Sequence, residues 1–199
     1  MVGAPHVLGG TTYVATALEA PGLIVQTGVH RSIIFGEVFG VSGAGGISPR
    51  VQAIADVVAA ADIQVTPVAD ARVPIWDKFV YLAAFSGFTG AARLAIGHIW
   101  KHPHVREMFY AASREIAAIA RAEGVTISEN RFDTLREYMD HLPPTTRSSL
   151  LIDLEQGKRI EVEALQGAAV RRAAKHGVPV PIMSTLYALL KPWENGPMA

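Results

Sequence analysis

The chain contains no cysteine, which excludes disulfides, thiolate zinc sites and thiol catalysis. It has no excess charge of either sign: 18 Lys and Arg stand against 18 Asp and Glu. The basic residues are scattered, so no stripe invites nucleic acid, and no acidic tail invites a basic partner. The opening Met-Val-Gly-Ala-Pro-His shows no basic region followed by an apolar run, and we expect no signal peptide. An uninterrupted membrane span is also missing. The nearest candidate, Phe79 to Trp100, is broken by Ser86, Thr89, three glycines and Arg93, whereas a span needs about 20 predominantly apolar residues. It reads as a buried helix, and a cytoplasmic setting is compatible with this composition.

What is present is a chain of 199 residues, half of them hydrophobic, enough for one domain or a domain plus a fragment. The first seventy or so positions are rich in β-branched and aromatic residues. Val7 to Leu18, Leu23 to Thr27 and Ser32 to Val38 read as an antiparallel meander, with turns at Pro21-Gly22 and Gly28. Gly40 to Gly46 reads as a loop. Ser48-Pro49 then gives an N-cap with proline at the first helical position. The helix Pro49 to Ala61 is expected to bury Val51, Ile54, Val58 and Ala61, and Ile63 to Val68 reads as one more strand.

From about Pro74 the pattern is helical: Trp76 to Ala92, His104 to Glu123, Ser128 to His141, a short helix at Ser148, another opening at Glu161, and Pro181 to Leu190. Residues 1–72 therefore read as an α/β part and residues 73–199 as an all-α domain. A β meander with one helix is a small unit with edges to cover, and resembles the second half of a larger sheet domain.

Four groups of residues could carry chemistry. Lys78, Leu82 and Ser86 fall at i, i+4 and i+8 on one helical stripe; the lysine is either a solvated helix end or an ammonium placed to polarise a carbonyl. Ser149 and Asp153, four apart, share a helix face with Glu161 close behind; capping and dipole compensation explain them as readily as catalysis. His98, His102 and His104 suggest a metal, but Pro103 breaks their spacing and no carboxylate falls in register. Gly43-Ala44-Gly45-Gly46 precedes a helix that could take an anion, without G-x-G-x-x-G spacing.

Taken together, Trp76-Asp77-Lys78-Phe79, Ser148-Ser149 through Asp153 to Ile160-Glu161-Val162-Glu163, and Gly167 resemble the C-terminal helical domain of the ketopantoate reductase family (2-dehydropantoate 2-reductases). Gly177-Val178-Pro179-Val180-Pro181 is similar to that family's turn into its last helix. Val7-Leu8-Gly9-Gly10-Thr11-Thr12, Pro21-Gly22 and Gly36 are similar to the end of its nucleotide-binding domain.

The resemblance implies an α/β fragment plus an all-α domain: the tail end of a Rossmann-type sheet domain, then a 6-phosphogluconate-dehydrogenase-like helical domain, with the active site in the cleft between the two. It implies NADPH-dependent reduction of ketopantoate, or a related 2-oxo acid, on the route to pantothenate and coenzyme A. Lys78 matches the family's general acid, and Glu161 the glutamate that holds substrate and lysine. Ser149 matches a substrate-binding serine, with Ser86 and Asp153 as further polar positions. Leu82 and Ile96 stand where the family usually has asparagine, which leaves the 2-oxo acid open. The family's glycine-rich cofactor turn belongs before Met1, so this chain is expected to bind NADPH poorly by itself. A non-catalytic helical module that binds a small acid or forms a homodimer is the alternative. Neither reading involves nucleic acid, a membrane or a metal.

Overall fold

The computed structural model describes residues 3–14, 16–26, 31–40 and 45–197. The expected turn at Gly28, and Gly43 and Ala44 of the glycine loop, lie outside the described residues. The chain forms two compact units, Met1–Ile75 and Trp76–Ala199.

The first unit holds β1 (Leu8–Tyr13), β2 (Thr16–Ala20), β3 (Leu23–Gln26), β4 (Ser32–Glu37), α1 (Pro49–Ala60) and β5 (Gln64–Val68). They do not make a simple meander. β1 pairs antiparallel with β4, from Leu8 opposite Glu37 to Tyr13 opposite Ser32. β4 pairs parallel with β5, and α1 supplies the crossover that a parallel pair requires. β2 and β3 instead form their own exposed hairpin, closed at Pro21-Gly22 with Gly22 at φ +80°, the left-handed geometry a type II turn demands of its third residue. The expected first strand is therefore two strands belonging to two sheets.

Gly36 is where β4 and β5 approach most closely: a Cβ there would overlap the Val68 carbonyl. The fully buried apolar residues of the sheet and its helix are Phe35, Val51 and Ala55. On α1 the buried line is Val51 and Ala55, with Val58 half-buried, while Ile54 and Ala61 are exposed. The buried stripe is rotated from the expected one because two apolar lines run along this helix and only one faces the sheet.

The second unit is helical, with α2 (Arg72–Ala92) beginning at the unit boundary and buried over most of its length. An apolar helix without a polar face belongs inside a bundle. Around it stand α3 (Ile96–Trp100), α4 (Pro103–Ala122), α5 (Asn130–His141), α6 (Ser149–Glu155), α7 (Ala168–His176) and α8 (Pro181–Leu190). On α4, Phe109, Ala112, Ile116, Ile119 and Ala120 face inward, and Gly124, at φ +76°, follows the helix end. One core gathers residues of α2, α3, α4, α5, α7 and α8. A second joins Leu150 and Leu154 to Ile160, Val162 and Leu190. Among the described residues no helix is long and apolar enough to cross a membrane.

Candidate functional site

Lys78 lies half-buried in the second turn of α2. The backbone beside it is held by α5, where Arg131 pairs through Nε with Asp77 Oδ1 at 3.0 Å and donates through Nη2 to the Asp77 carbonyl at 3.2 Å. Burial raises the Asp77 pKa above the ordinary carboxylate value, more than the Arg131 charge lowers it.

Further along α2, two buried hydroxyls fasten the helix to its neighbours. Thr89 Oγ1 donates to the Phe85 carbonyl and lies 2.7 Å from Ser148 Oγ. Ser148 is the N-cap of α6, its hydroxyl accepting from the Leu151 N–H at 3.1 Å. Ser86 donates to the Leu82 carbonyl at 2.7 Å and accepts from Gln166 Nε2 at 2.9 Å. Gln166 also donates to the Ala83 carbonyl. It belongs to a π-helical turn, Glu163–Gly167, that runs straight into α7; such turns recur at functional sites.

Ser149 is the exposed first residue of α6, with the half-buried Asp153 one turn further along the same face. Glu161 is exposed, and its carbonyl accepts from Ala164 and Leu165 at the entry to the π turn. The expected helix from Glu161 thus begins two residues later and with a wider winding. The elements carrying Lys78, the Ser149–Asp153 face and Glu161 are joined through Thr89–Ser148 and Ser86–Gln166.

Ser86 departs from expectation. It is 1% exposed and its hydrogen bonds, to the Leu82 and Ala83 carbonyls and from Gln166, are all within the bundle, so its hydroxyl is engaged in holding the helices together. Ile96 is buried in the core, and Leu82 is half-buried. His98, His102 and His104 are exposed, and no cluster that could hold a metal occurs among the described residues.

Sequence reasoning missed Thr89, Gln166 and Arg131. Polar residues inside an apolar helix were the available signal, since a buried hydroxyl must find a partner. It also missed Glu163 as a charge hub: Glu163 accepts from Tyr187 Oη and Lys191 Nζ, each at 2.6 Å, and from Arg171. Those bonds, Lys191's foremost, lower its pKa to about 2.

The start of α1 was the other anion candidate. Glu37 already occupies it, accepting from Ser48 Oγ at 2.6 Å and Arg50 Nε at 2.7 Å. A dinucleotide pyrophosphate does not fit there, and among the described residues no other helix start follows paired glycines.

Residues 70–194, well over half the chain, match the family model described as ketopantoate reductase PanE/ApbA, C terminal. The chain belongs to the ketopantoate reductase family. A 2-dehydropantoate 2-reductase from Archaeoglobus fulgidus is 30% identical over 192 residues, covering 96% of this chain and 62% of that protein. The crystal structure of the Methylococcus capsulatus 2-dehydropantoate 2-reductase, 26% identical, matches with a TM-score of 0.81 over 94% of this chain and 58% of the other. That of Geobacter metallireducens, at 23% identity, shares the fold with a TM-score of 0.84 over 96% and 62% of the two chains. The chain spans about 60% of the length of the curated ketopantoate reductases it matches. The mixed α/β and helical architecture is that of this family, whose members named above are oxidoreductases.

Proposed function

We propose that this chain supplies the substrate-binding and proton-donating part of a reductase that converts ketopantoate, or a related 2-oxo acid, to the 2-hydroxy acid. The product from ketopantoate is (R)-pantoate, on the route to pantothenate and coenzyme A. The reading is supported by 30% identity to a 2-dehydropantoate 2-reductase along nearly the whole chain and by the resemblance of the segments around Lys78, Ser149 and Glu161 to the family's motifs. NADPH supplies the hydride when bound. The described residues offer no cradle for its pyrophosphate, so the roles below concern only groups of this chain.

The Lys78 ammonium faces the C2 carbonyl oxygen of the substrate. Negative charge grows on that oxygen as the ketone is reduced, so an ammonium there favours the transition state over the ketone. It then gives up the proton that completes the hydroxyl. The Glu161 carboxylate orients the ammonium and holds the substrate. Ser149 donates a hydrogen bond to the substrate, and Asp153 accepts one on the same face. Leu82, half-buried one turn after Lys78, cannot make the hydrogen bonds of asparagine, and a site that loses such a partner changes its preference among substrates strongly; Ile96 is packed in the core and is left out of the site.

The test is turnover in a chain completed with the nucleotide-binding half of a curated relative. Lys78→Ala should lower ketopantoate turnover by about a hundredfold or more, the scale of lost acid–base assistance, and leave NADPH affinity in place. Unchanged turnover would remove Lys78 from the mechanism. The 199-residue chain itself should bind NADPH no more tightly than about millimolar, or 4 kcal/mol; micromolar binding means the cofactor site is completed another way.

A further inference from the structure

Between α4 and α5 lies a cavity of about 380 Å³ lined by Pro103, Arg106, Glu107, Tyr110, Arg136 and Asp140. Pro103, Arg106 and Tyr110 follow one another at helical spacing on α4, and Arg136 and Asp140 are one turn apart on α5. The Tyr110 hydroxyl is buried, and the Arg136 guanidinium approaches it as a hydrogen-bond donor at a geometry short of a well-formed bond. A buried hydroxyl left so is uncommon and costs free energy unless a ligand or water completes it.

The arginines of this cavity have no carboxylate partner among the described residues, a property shared in the helical unit with Arg93 and Arg114, which instead lie over the Trp193 and Phe132 rings. Arg131, Arg147, Arg171 and Arg172 each pair with a carboxylate. Arg106 and Arg136 pair with none among the described residues, although two carboxylates line the same cavity. Those acids are turned to other groups: Asp140 accepts from Trp100 Nε1 at 2.8 Å, and Glu107 lies 3.8 Å from His104. The Arg136 guanidinium stands 5.5 Å above the Tyr110 ring, a cation–π contact that holds it at the cavity wall. Burial first, then the Asp140 charge, raises the Tyr110 pKa against the opposing pull of Arg136 and Arg106, so the phenol remains a donor at neutral pH.

We propose that this cavity binds a small monocarboxylate that also carries a hydroxyl group. The guanidinium forks of Arg106 and Arg136 take the carboxylate, a geometry they match in two parallel hydrogen bonds. Tyr110 donates to the same end of the ligand, and Asp140 accepts from its hydroxyl. The volume lies toward the small end of ligand pockets. None of these residues belongs to the proposed reductase site, so the inference stands or falls separately from it.

The experiment is an NMR titration of the full chain with glycerate, following the Arg106 and Arg136 Nε–H signals and the Tyr110 ring, with propionate and inorganic phosphate as comparisons. Glycerate should give saturable shifts. Arg136→Gln and Arg106→Gln should each weaken it by about tenfold or more, the scale of one charged hydrogen bond. Tyr110→Phe, which keeps the ring in the core contacts, should weaken it by a smaller factor. Absence of saturation, or affinity indifferent to both arginine variants, overturns the site. Phosphate or propionate binding as tightly as glycerate overturns the hydroxy-carboxylate assignment.

Discussion

Glu163 shows how single charges act in this molecule. Its pKa falls from 4.5 to about 2, with Lys191 the largest cause and Tyr187 and Arg171 next. A carboxyl more acidic when folded than when unfolded favours the fold above its unfolded pKa, and that contribution fades as pH falls toward its folded one. Glu163→Gln keeps the shape and removes the charge. The melting-temperature deficit of this variant should be largest near neutrality and shrink between about pH 4.5 and pH 2. Glu37 is also lowered to about 2, chiefly by Arg50, but is common to both proteins and cancels in the difference. A deficit constant across that range would mean the network contributes through shape alone. At this scale the sequence offered Lys78, Ser149 and Glu161 through the family motif, yet misplaced Ser86. Spacing of four puts Lys78, Leu82 and Ser86 on one stripe, but a stripe can turn from half-buried to buried along a helix, and only Gln166 on a distant segment reveals that it does.

Among the elements, α6 shows how a short helix is held. Seven residues are too few to be stable alone, so it depends on its cap and its apolar face. Ser148 caps the Leu151 N–H and meets Thr89 at 2.7 Å, while Leu150, Leu151 and Leu154 are buried. Ser148→Ala should cost about 1–2 kcal/mol, or roughly 2–4 °C of melting temperature per kcal/mol in a chain of this size. Thr89→Val removes the same contact and leaves the cap, so thermal denaturation should show the smaller loss there; equal losses would mean that the cap adds nothing beyond the buried hydroxyl pair. Helices with clear stops were legible: α4 before Gly124, α7 before Gly177, α1 after Ser48-Pro49. α3 was not, because it is short and has no side-chain cap. Ser128 promised a cap for α5, but the helix begins later, with no side-chain cap bond at Glu129. β1 and β2 were merged into one apparent strand, although the Pro21-Gly22 turn between β2 and β3 was read, since β propensity names strand residues without naming their partners.

The two units differ in how much core they own. The helical unit gathers two hydrophobic clusters with large, fully buried members such as Phe109, Ile116, Leu135 and Leu150. Among the described residues of the first unit, Phe35, Val51 and Ala55 form the buried cluster, and Leu18, Ile24 and Val57 are about 70% exposed. Small domains are marginal because they bury a smaller fraction of their surface, and this one buries little even for its size. The change from β-rich to helical residues near Pro74 was visible in the sequence, but this imbalance was not, because composition does not say which apolar residues find partners. A fragment cut before Asp70 keeps the Asp70 carboxylate that accepts from the Arg72 N–H at 2.9 Å and so keeps the start of α2. That fragment should show helical circular dichroism and one cooperative thermal transition. The complementary piece ending at Val68 should show no cooperative transition and should bind dyes that report exposed apolar surface. If the β piece folds cooperatively alone, its few buried residues suffice; if the helical piece does not, the bundle draws stability from β residues, and the division into two units is not one of folding.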